Sequence, residues 1–238
     1  MSDSHDAPTP PSPPVAPPDV VEAALDDLWS AINRLTQIKS PRSRYRVSVF
    51  GSARIKPHEP LYEEVKDLAA KLSSRSCDIV TGGGPGLMQA ANEGEKIGDP
   101  DNQTRSIGIR IELPFEQGAN PFVEELYSHR TFFTRLHQFV RLSDAFVVVG
   151  GGIGTTLEML LVWQLLQVRH LDDVPLILVG DMWAKLVEWG RTHMAEAPTP
   201  LASAKDFDIP VCVGSIDEAV AEIEKAKARF EARAQVSP

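Results

Sequence analysis

The chain has 238 residues, of which 42% are hydrophobic and 24% are charged, and this composition is typical of a globular protein with one large α/β domain. Its formal net charge of -9 argues against nucleic acid as a partner, because DNA and RNA are bound through clustered lysines and arginines. No apolar run approaches the roughly 18 residues of a membrane span, and no basic N-terminal region precedes an apolar stretch. We therefore expect a soluble, cytoplasmic protein that has no membrane partner.

The cysteines and histidines indicate neither a disulfide framework nor a metal site. Cys77 and Cys212 are far apart in the sequence and form no C-x-x-C pair, so we predict that both are small core residues. The six histidines are scattered, without the spacing of metal ligands. The sequence also lacks the G-x-S-x-G turn that carries the nucleophile of serine hydrolases.

The N-terminal segment divides into two parts of different composition. Residues 1–18 are rich in proline and contain few apolar residues, which predicts a disordered tail. Apolar residues recur every three or four positions over 19–39, which predicts an amphipathic helix with Asp19 as its N-cap. We assign this helix to one domain that spans 19–238.

Strands and helices alternate along the rest of the chain, which is the signature of a parallel sheet covered on both faces. In chain order, we predict strand 46–50, helix 60–74, strand 78–81, helix 87–97, strand 106–113, helix 131–142, strand 145–149, a helix that ends at about 169, strand 176–179, helix 183–194, strand 209–213 and helix 216–232. The pattern favours a single α/β domain with a Rossmann-like, doubly wound parallel sheet in a three-layer αβα arrangement, whose core spans 45–214. Ligands of such folds bind at the carboxyl ends of the strands.

Glycine-bearing turns follow three of the predicted strands. Gly51 and Ser52 follow the first strand, the Gly82-Gly83-Gly84 turn follows the second, and a third glycine-rich segment begins at Gly150. Because the carboxyl ends of parallel strands meet at one edge of the sheet, we expect the three turns to form a single site.

The segment 150–158 (GGGIGTTLE) has the character of a phosphate-binding turn. Gly151, Gly152 and Gly154 let the backbone approach a ligand closely, and the free N–H groups of the following helix point toward an anion. Thr155 and Thr156 add hydroxyl donors in the first helical turn. The alternative is that the glycines only permit tight packing of the helix on the strand.

Two other phosphate motifs are excluded by their spacing. Neither glycine cluster is followed by the lysine of a P-loop. The dinucleotide fingerprint G-x-G-x-x-G also fails, because Leu87 and Thr155 stand where its third glycine would lie. The turns therefore favour a monophosphate over ATP or NAD.

Charged residues near these turns are candidates for chemistry. Glu158 lies three positions after Thr155, so its carboxylate is expected on the same side of the helix as the phosphate turn. Arg135 lies among apolar residues, which predicts an anionic partner, either Glu158 or the ligand. The alternative is a surface arginine whose aliphatic stem covers apolar surface. His129 and His137 flank Arg135 and either line a pocket or have a structural role.

Three segments together resemble one known family. The segments 82–92 (GGGPGLMQAAN), 133–149 (FTRLHQFVRLSDAFVVV) and 150–158 are similar, in this order, to motifs of the LONELY GUY (LOG) family. These proteins are cytokinin riboside 5′-monophosphate phosphoribohydrolases that were long labelled lysine decarboxylases. No lysine occurs in the three segments, which argues against amino-acid decarboxylation through a lysine-linked cofactor.

The resemblance implies a homodimeric enzyme without a cofactor that hydrolyses the N-glycosidic bond of a nucleoside 5′-monophosphate. Its substrate would be AMP or a cytokinin riboside monophosphate, and its products a free base and ribose 5-phosphate. The resemblance makes Arg135 and Glu158 the catalytic pair. It also implies that a larger set of residues binds the phosphate, the ribose and the base of the substrate, namely Gly151, Gly152, Gly154, Thr155, Thr156, Ser52, Gly82, Gly83, Gly84 and Met88.

The chain differs from the family pattern at two positions. Gly150 stands where the family has proline, and Leu136 stands where it has lysine. Loss of that lysine removes a cation near the phosphate or the catalytic pair. The alternative function is therefore a non-catalytic carrier that binds a nucleotide or a cofactor in the same pocket.

Overall fold

The computed structural model describes residues 44–112 and 118–236, together with Val20 and Ala23, which are both helical. The predicted tail 1–18 and nearly all of the predicted helix 19–39 lie outside the described residues, so both remain predictions. The end of the third predicted strand, at residue 113, lies outside them as well.

Strands and helices alternate along most of the described chain. The strands are β1 (Tyr45–Phe50), β2 (Cys77–Thr81), β3 (Ser106–Ile111), β4 (Glu125–His129), β5 (Ala145–Val148), β6 (Leu176–Val179) and β7 (Val211–Val213). The α-helices are α1 (Pro60–Ser73), α2 (Leu87–Gly98), α3 (Phe132–Leu142), α4 (Ile153–Gln167), α5 (Asp181–Gly190) and α6 (Ile216–Val236). A π-helical turn (Arg191–Ala195) continues α5, and a short 3-10 helix (Ala204–Asp208) precedes β7.

All seven strands form one parallel sheet in the order β4-β3-β2-β1-β5-β6-β7. The chain builds outward from β1 to β4 and then returns to the centre, where β5 pairs with β1 from Val47↔Ala145 to Phe50↔Val148. This reversal creates a switch point between β1 and β5, where doubly wound sheets bind their ligands. The predicted Rossmann-like, three-layer α/β fold is confirmed.

Both faces of the sheet are covered by helices, which explains why the central strands are apolar throughout. On one face, β1 contributes Val47 and Val49 to a core formed with α1, α2 and α6. On the other face, Phe50 packs with Phe139 of α3, Met159 of α4 and Trp183 of α5. Because successive side chains of a strand point to opposite faces, β1 contributes to both cores.

Strand β4 is a part of the sheet that the sequence analysis missed. Its residues alternate between half-buried and exposed because it forms the edge of the sheet, and Leu126 is among the exposed ones. The prediction that both cysteines lie in the core is half wrong. Cys77 is buried, but Cys212 is exposed on β7, because this strand forms the opposite edge of the sheet and is covered incompletely.

Candidate active site

A cleft of about 750 Å³ lies at the carboxyl ends of the central strands. The structure brings the three glycine-bearing turns together around it. The predicted site residues that line the cleft are Ser52, Gly82, Gly84, Met88, Arg135, Gly152, Gly154, Thr155 and Glu158. Gly83, Gly151 and Thr156 lie in the same turns but do not line it.

The Gly82 turn needs its glycines for close contacts. A Cβ atom on Gly82 would come within 2.6 Å of both the Arg135 Nη2 atom and the Met88 sulfur. Gly83 has a φ of +69°, in the left-handed region that favours glycine, and its N–H donates to the Thr81 hydroxyl over 3.0 Å. Gly82 therefore makes room for the cleft side chains, whereas Gly83 shapes the turn.

A buried polar network that the sequence analysis did not identify holds this turn. Asn92 is fully buried on α2, and its Oδ1 atom accepts from the Thr81 hydroxyl over 2.7 Å and from the Asn120 amide over 2.9 Å. The Asn120 amide also donates to the Gly84 carbonyl, and the Asn120 N–H donates to the Gly83 carbonyl. A satisfied buried network of this kind rigidifies its surroundings. The signal in the sequence was a polar residue on the apolar side of α2.

The segment around Gly152 combines an exposed backbone with an open helix terminus. Gly152 caps α4 without any side-chain hydrogen bond, so the first N–H groups of the helix have no side-chain acceptor from the cap residue. A Cβ atom on Gly152 or Gly154 would meet no atom within 4 Å, so these glycines do not serve tight packing. Gly151 differs, because its Cβ would collide with the side chain of the buried Thr155. The N-terminus of α4 therefore lies open at the cleft, and a helix N-terminus of this kind is suited to binding an anion.

Backbone hydrogen bonds join the three turns to one another. The Ser52 N–H donates to the Gly150 carbonyl over 3.0 Å, and the Leu87 N–H donates to the Ser52 carbonyl over 2.8 Å. The fully buried Trp183 indole donates to the carbonyl of Val149, just before the glycine-rich segment that begins at Gly150, over 3.2 Å. The relative positions of the turns are therefore set by the backbone and by one core side chain.

We expect Trp183→Phe to lower the free energy of unfolding by about 1–3 kcal/mol, because the buried Val149 carbonyl loses its donor and the smaller ring leaves a cavity. Urea denaturation measures this loss. The matched control is Trp189→Phe on the same helix, which replaces an exposed indole and should stay within about 0.5 kcal/mol. Equal stability of the two variants would contradict the role assigned to Trp183.

Arg135 and Glu158 form a buried ion pair in the cleft. The Arg135 Nη1 atom lies 2.7 Å from the Glu158 Oε1 atom, and each side chain is only 11% exposed. The Arg135 Nε–H also donates to the Ile109 carbonyl over 2.9 Å, and its guanidinium lies 5.1 Å from the centre of the Phe139 ring. Of the interpretations open at the sequence level, the structure supports the ion pair with Glu158 and not the surface arginine.

The environment of Glu158 favours its protonated form more than water does. Burial raises the pKa of the carboxyl above its ordinary value, although the charge and the hydrogen bond of Arg135 act in the opposite direction. Residues that transfer protons or stabilise charge are often carboxyls with a raised pKa at the wall of a cleft.

The two histidines near Arg135 do not line the cleft. The Nε2 atoms of His129 and His137 are buried without a hydrogen-bond partner in the described part of the chain, and burial lowers the pKa of both rings. Leu136 is half-buried and also lies outside the cleft lining. Within residues 44–112 and 118–236, no group of three or more histidines, cysteines or carboxylates could hold a metal ion.

None of the described helices combines the length and the apolar character that crossing a membrane requires.

The chain is similar in sequence to known proteins. A family model described as "Possible lysine decarboxylase" matches residues 88–223, which is more than half of the chain. The chain is also 33% identical over 140 residues to the pyrimidine/purine nucleotide 5′-monophosphate nucleosidase of Escherichia coli K12. That match covers 56% of this chain and only 30% of the relative.

Solved structures share the fold at lower identity. The molybdenum cofactor (Moco) carrier protein of Chlamydomonas reinhardtii superposes with a TM-score of 0.58 at 19% identity, over 78% of this chain and 99% of that one. The molybdenum cofactor binding protein of Rippkaea orientalis superposes with the same TM-score and identity, over 78% of this chain and 98% of that one. Taken with the motifs and the fold, the family match shows that the chain belongs to the LOG family, whose sequence model is described as possible lysine decarboxylases.

Proposed function

We propose that the protein hydrolyses the N-glycosidic bond of a nucleoside 5′-monophosphate, such as AMP or a cytokinin riboside monophosphate. The observation that carries the proposal is the buried Arg135–Glu158 pair, which lines the same cleft as the open N-terminus of α4. An anion-binding terminus and a buried carboxyl in one cleft suit a substrate with a phosphate at one end and a reacting bond at the other. The related nucleosidase of E. coli acts on nucleotides of this class.

In the proposed reaction, Gly152, Gly154 and Thr155 hold the 5′-phosphate, with Gly151 and Thr156 shaping the turn. Binding energy from this remote group positions the ribose for reaction. Cleavage of the glycosidic bond develops positive charge on the ribose, which the Glu158 carboxylate stabilises while it activates the attacking water. Glu158 is the one carboxylate among the described residues that line the cleft, so the mechanism differs from that of glycosidases with two carboxylates.

In this proposal, the Gly82–Gly84 turn and Met88 form a second wall of the cleft, separate from the phosphate turn. Ser52 joins the first turn to the phosphate turn through its backbone. We assign this wall, which contains Gly82, Gly84 and Met88, to the ribose and the base. Arg135 orients Glu158 through the 2.7 Å contact and favours its ionised form, against the effect of burial.

The direct test is to incubate the purified protein with a panel of purine, pyrimidine and cytokinin nucleoside monophosphates and to separate the free bases by liquid chromatography. The proposal predicts release of base and ribose 5-phosphate in equal amounts. Absence of release from every nucleotide of the panel would reject it.

The second candidate function is a carrier that binds a nucleotide or a cofactor without turning it over. It is favoured by the shared fold of the two molybdenum cofactor proteins, which are named for cofactor carriage or binding. Tight nucleotide binding with no base release would select this function. Lysine decarboxylation has no support, because no lysine lines the cleft among the described residues.

We also propose that the protein is a homodimer. Phe132 and Phe133 of α3 and Ile153, Leu157 and Leu160 of α4 are large apolar side chains that are 47% or more exposed, with Ile153 at 88%. The last three recur at helical spacing, so they share one side of α4. We call these five residues the α3–α4 apolar face. Exposed apolar surface beside a cleft is typical of an interface.

Light scattering after size-exclusion chromatography is expected to give twice the chain mass of 26.1 kDa. The double variant Leu157→Glu, Leu160→Glu places charges on the apolar face and should be monomeric, because burial of two unpaired carboxylates is costly. Ile97→Glu is the control, since Ile97 is exposed on α2, on the opposite side of the sheet. A double variant that stays dimeric would show that this face is not the interface.

A further inference from the structure

The cleft has a charge opposite to that of the whole protein. Among the described residues that line it, the charged ones are three arginines, Arg54, Arg110 and Arg135, and one carboxylate, Glu158. The complete chain carries a formal net charge of -9. A positive cleft in an acidic protein concentrates anions where they bind, because low-dielectric walls focus the field of the lining charges.

The three arginines differ in the interactions that they already make with the rest of the protein. Arg135 is bound to Glu158 and to the Ile109 carbonyl. Arg110 is half-buried and interacts with another group of the protein. Arg54 is exposed, and only its backbone N–H forms a hydrogen bond within the described part of the chain. Its guanidinium has no protein partner among the described residues. Of the cleft arginines, Arg54 is therefore the one that can bind an anion without breaking an interaction with the described part of the chain.

The local backbone holds Arg54 close to the phosphate turn. The Arg54 N–H donates to the Ser52 hydroxyl over 3.1 Å, and the Ser52 N–H donates to the Gly150 carbonyl over 3.0 Å. β1 and β5, which lead into these two turns, are adjacent strands. The Arg54 side chain thus starts from a segment that is tied to the turn around the open end of α4.

We propose that Arg54 binds the 5′-phosphate of the substrate and makes the protein select nucleotides over nucleosides. This inference rests on the proposed function, since it takes a nucleoside monophosphate as the ligand. A guanidinium donates two parallel N–H bonds to phosphate oxygens, whereas the helix terminus contributes partial charges and backbone donors. The guanidinium and the helix terminus together neutralise a phosphate dianion. A nucleoside lacks this dianion and so gains nothing from either group.

The test compares wild type, Arg54→Ala and Arg54→Lys by isothermal titration calorimetry with AMP, ribose 5-phosphate and adenosine. Loss of a charge-assisted contact should weaken AMP and ribose 5-phosphate by about 10- to 100-fold in Arg54→Ala, with adenosine affinity unchanged. Arg54→Lys should recover part of the loss, because lysine keeps the charge without the planar fork. In turnover assays, KM for AMP should rise by a larger factor than kcat falls.

The matched control is Arg105→Ala. Arg105 is also exposed, but it precedes β3 at the amino end of the sheet, away from the cleft. This variant should bind AMP as wild type does. Unchanged AMP affinity in Arg54→Ala would overturn the inference, as would an equal loss for AMP and adenosine, or failure of wild type to bind AMP and ribose 5-phosphate.

The binding measurements separate this inference from the proposed hydrolysis. If wild type binds AMP without releasing base and Arg54→Ala loses that affinity, the phosphate role of Arg54 stands and the hydrolase proposal fails. If wild type releases base and Arg54→Ala binds AMP normally, hydrolysis stands and the role of Arg54 is overturned.

Discussion

Glu158→Gln is expected to lower the rate of base release by about 10²- to 10⁴-fold, the range that a positioned acid or base contributes. Glutamine has nearly the same size and can still accept the hydrogen bond of Arg135, which spans 2.7 Å in the wild type. It cannot take a proton from water or stabilise positive charge on the ribose. Single-turnover assays with saturating AMP measure the loss.

The control for this variant is Glu64→Gln, which neutralises an exposed carboxylate on α1 that does not line the cleft. Its turnover should match that of wild type. AMP binding by Glu158→Gln, measured by calorimetry, separates a catalytic defect from a folding defect. Turnover by Glu158→Gln at the wild-type rate would remove Glu158 from the reaction.

The raised pKa of Glu158 predicts the pH dependence of the same reaction. Because the proposed active form is the carboxylate, the rate should rise with pH until the carboxyl has lost its proton, and the midpoint should lie above the ordinary value of 4.5. Glu158→Gln should lack this rise. A rate that falls with pH over the same range would identify Glu158 as a proton donor instead.

The stability of the fold should depend on this proton in the opposite sense. A carboxyl whose pKa is higher in the folded than in the unfolded chain favours folding while it is protonated. Its contribution is complete below the ordinary value of 4.5 and is lost as the pH rises through the raised value. Thermal unfolding of wild type and Glu158→Gln across this range should show the difference.

Gly82→Ala is expected to inactivate the protein by displacing Arg135. The added Cβ would lie 2.6 Å from both the Arg135 Nη2 atom and the Met88 sulfur. Met88 can rotate away, but Arg135 is held by Glu158 at 2.7 Å and by the Ile109 carbonyl at 2.9 Å. A shift of about 1 Å in a catalytic group costs roughly 10²-fold in rate.

Gly82→Ala should also destabilise the fold, because breaking a buried ion pair costs about 3–5 kcal/mol. Urea denaturation and kcat measured on the same preparation test both effects. Gly214→Ala is the control, since the atom nearest to its Cβ would be a Glu218 carboxylate oxygen at 3.9 Å. A Gly82→Ala variant with wild-type kcat would show that the position of the Arg135 guanidinium is unimportant.

Most of the fold was predictable because the spacing of apolar residues in helices and in strands is a local property of the sequence. Apolar runs of four to six residues between amphipathic helices indicated a parallel sheet, and six of the seven strands were predicted. β4 was missed because an edge strand buries one face only partly and leaves a weak pattern. The π-helical turn that continues α5 was likewise predicted as ordinary helix, because a change in hydrogen-bond spacing leaves no mark on the apolar pattern.

The sequence by itself determined the doubly wound sheet, the three glycine-bearing turns and the family, since these depend on spacing within short segments. The tertiary structure alone decided which groups meet. It paired Arg135 with Glu158 and placed the Trp183 indole on the Val149 carbonyl. It also placed Arg54 at the cleft, with a guanidinium that has no protein partner among the described residues. These contacts join segments that are distant in the chain, and the order of the parallel strands brings them together.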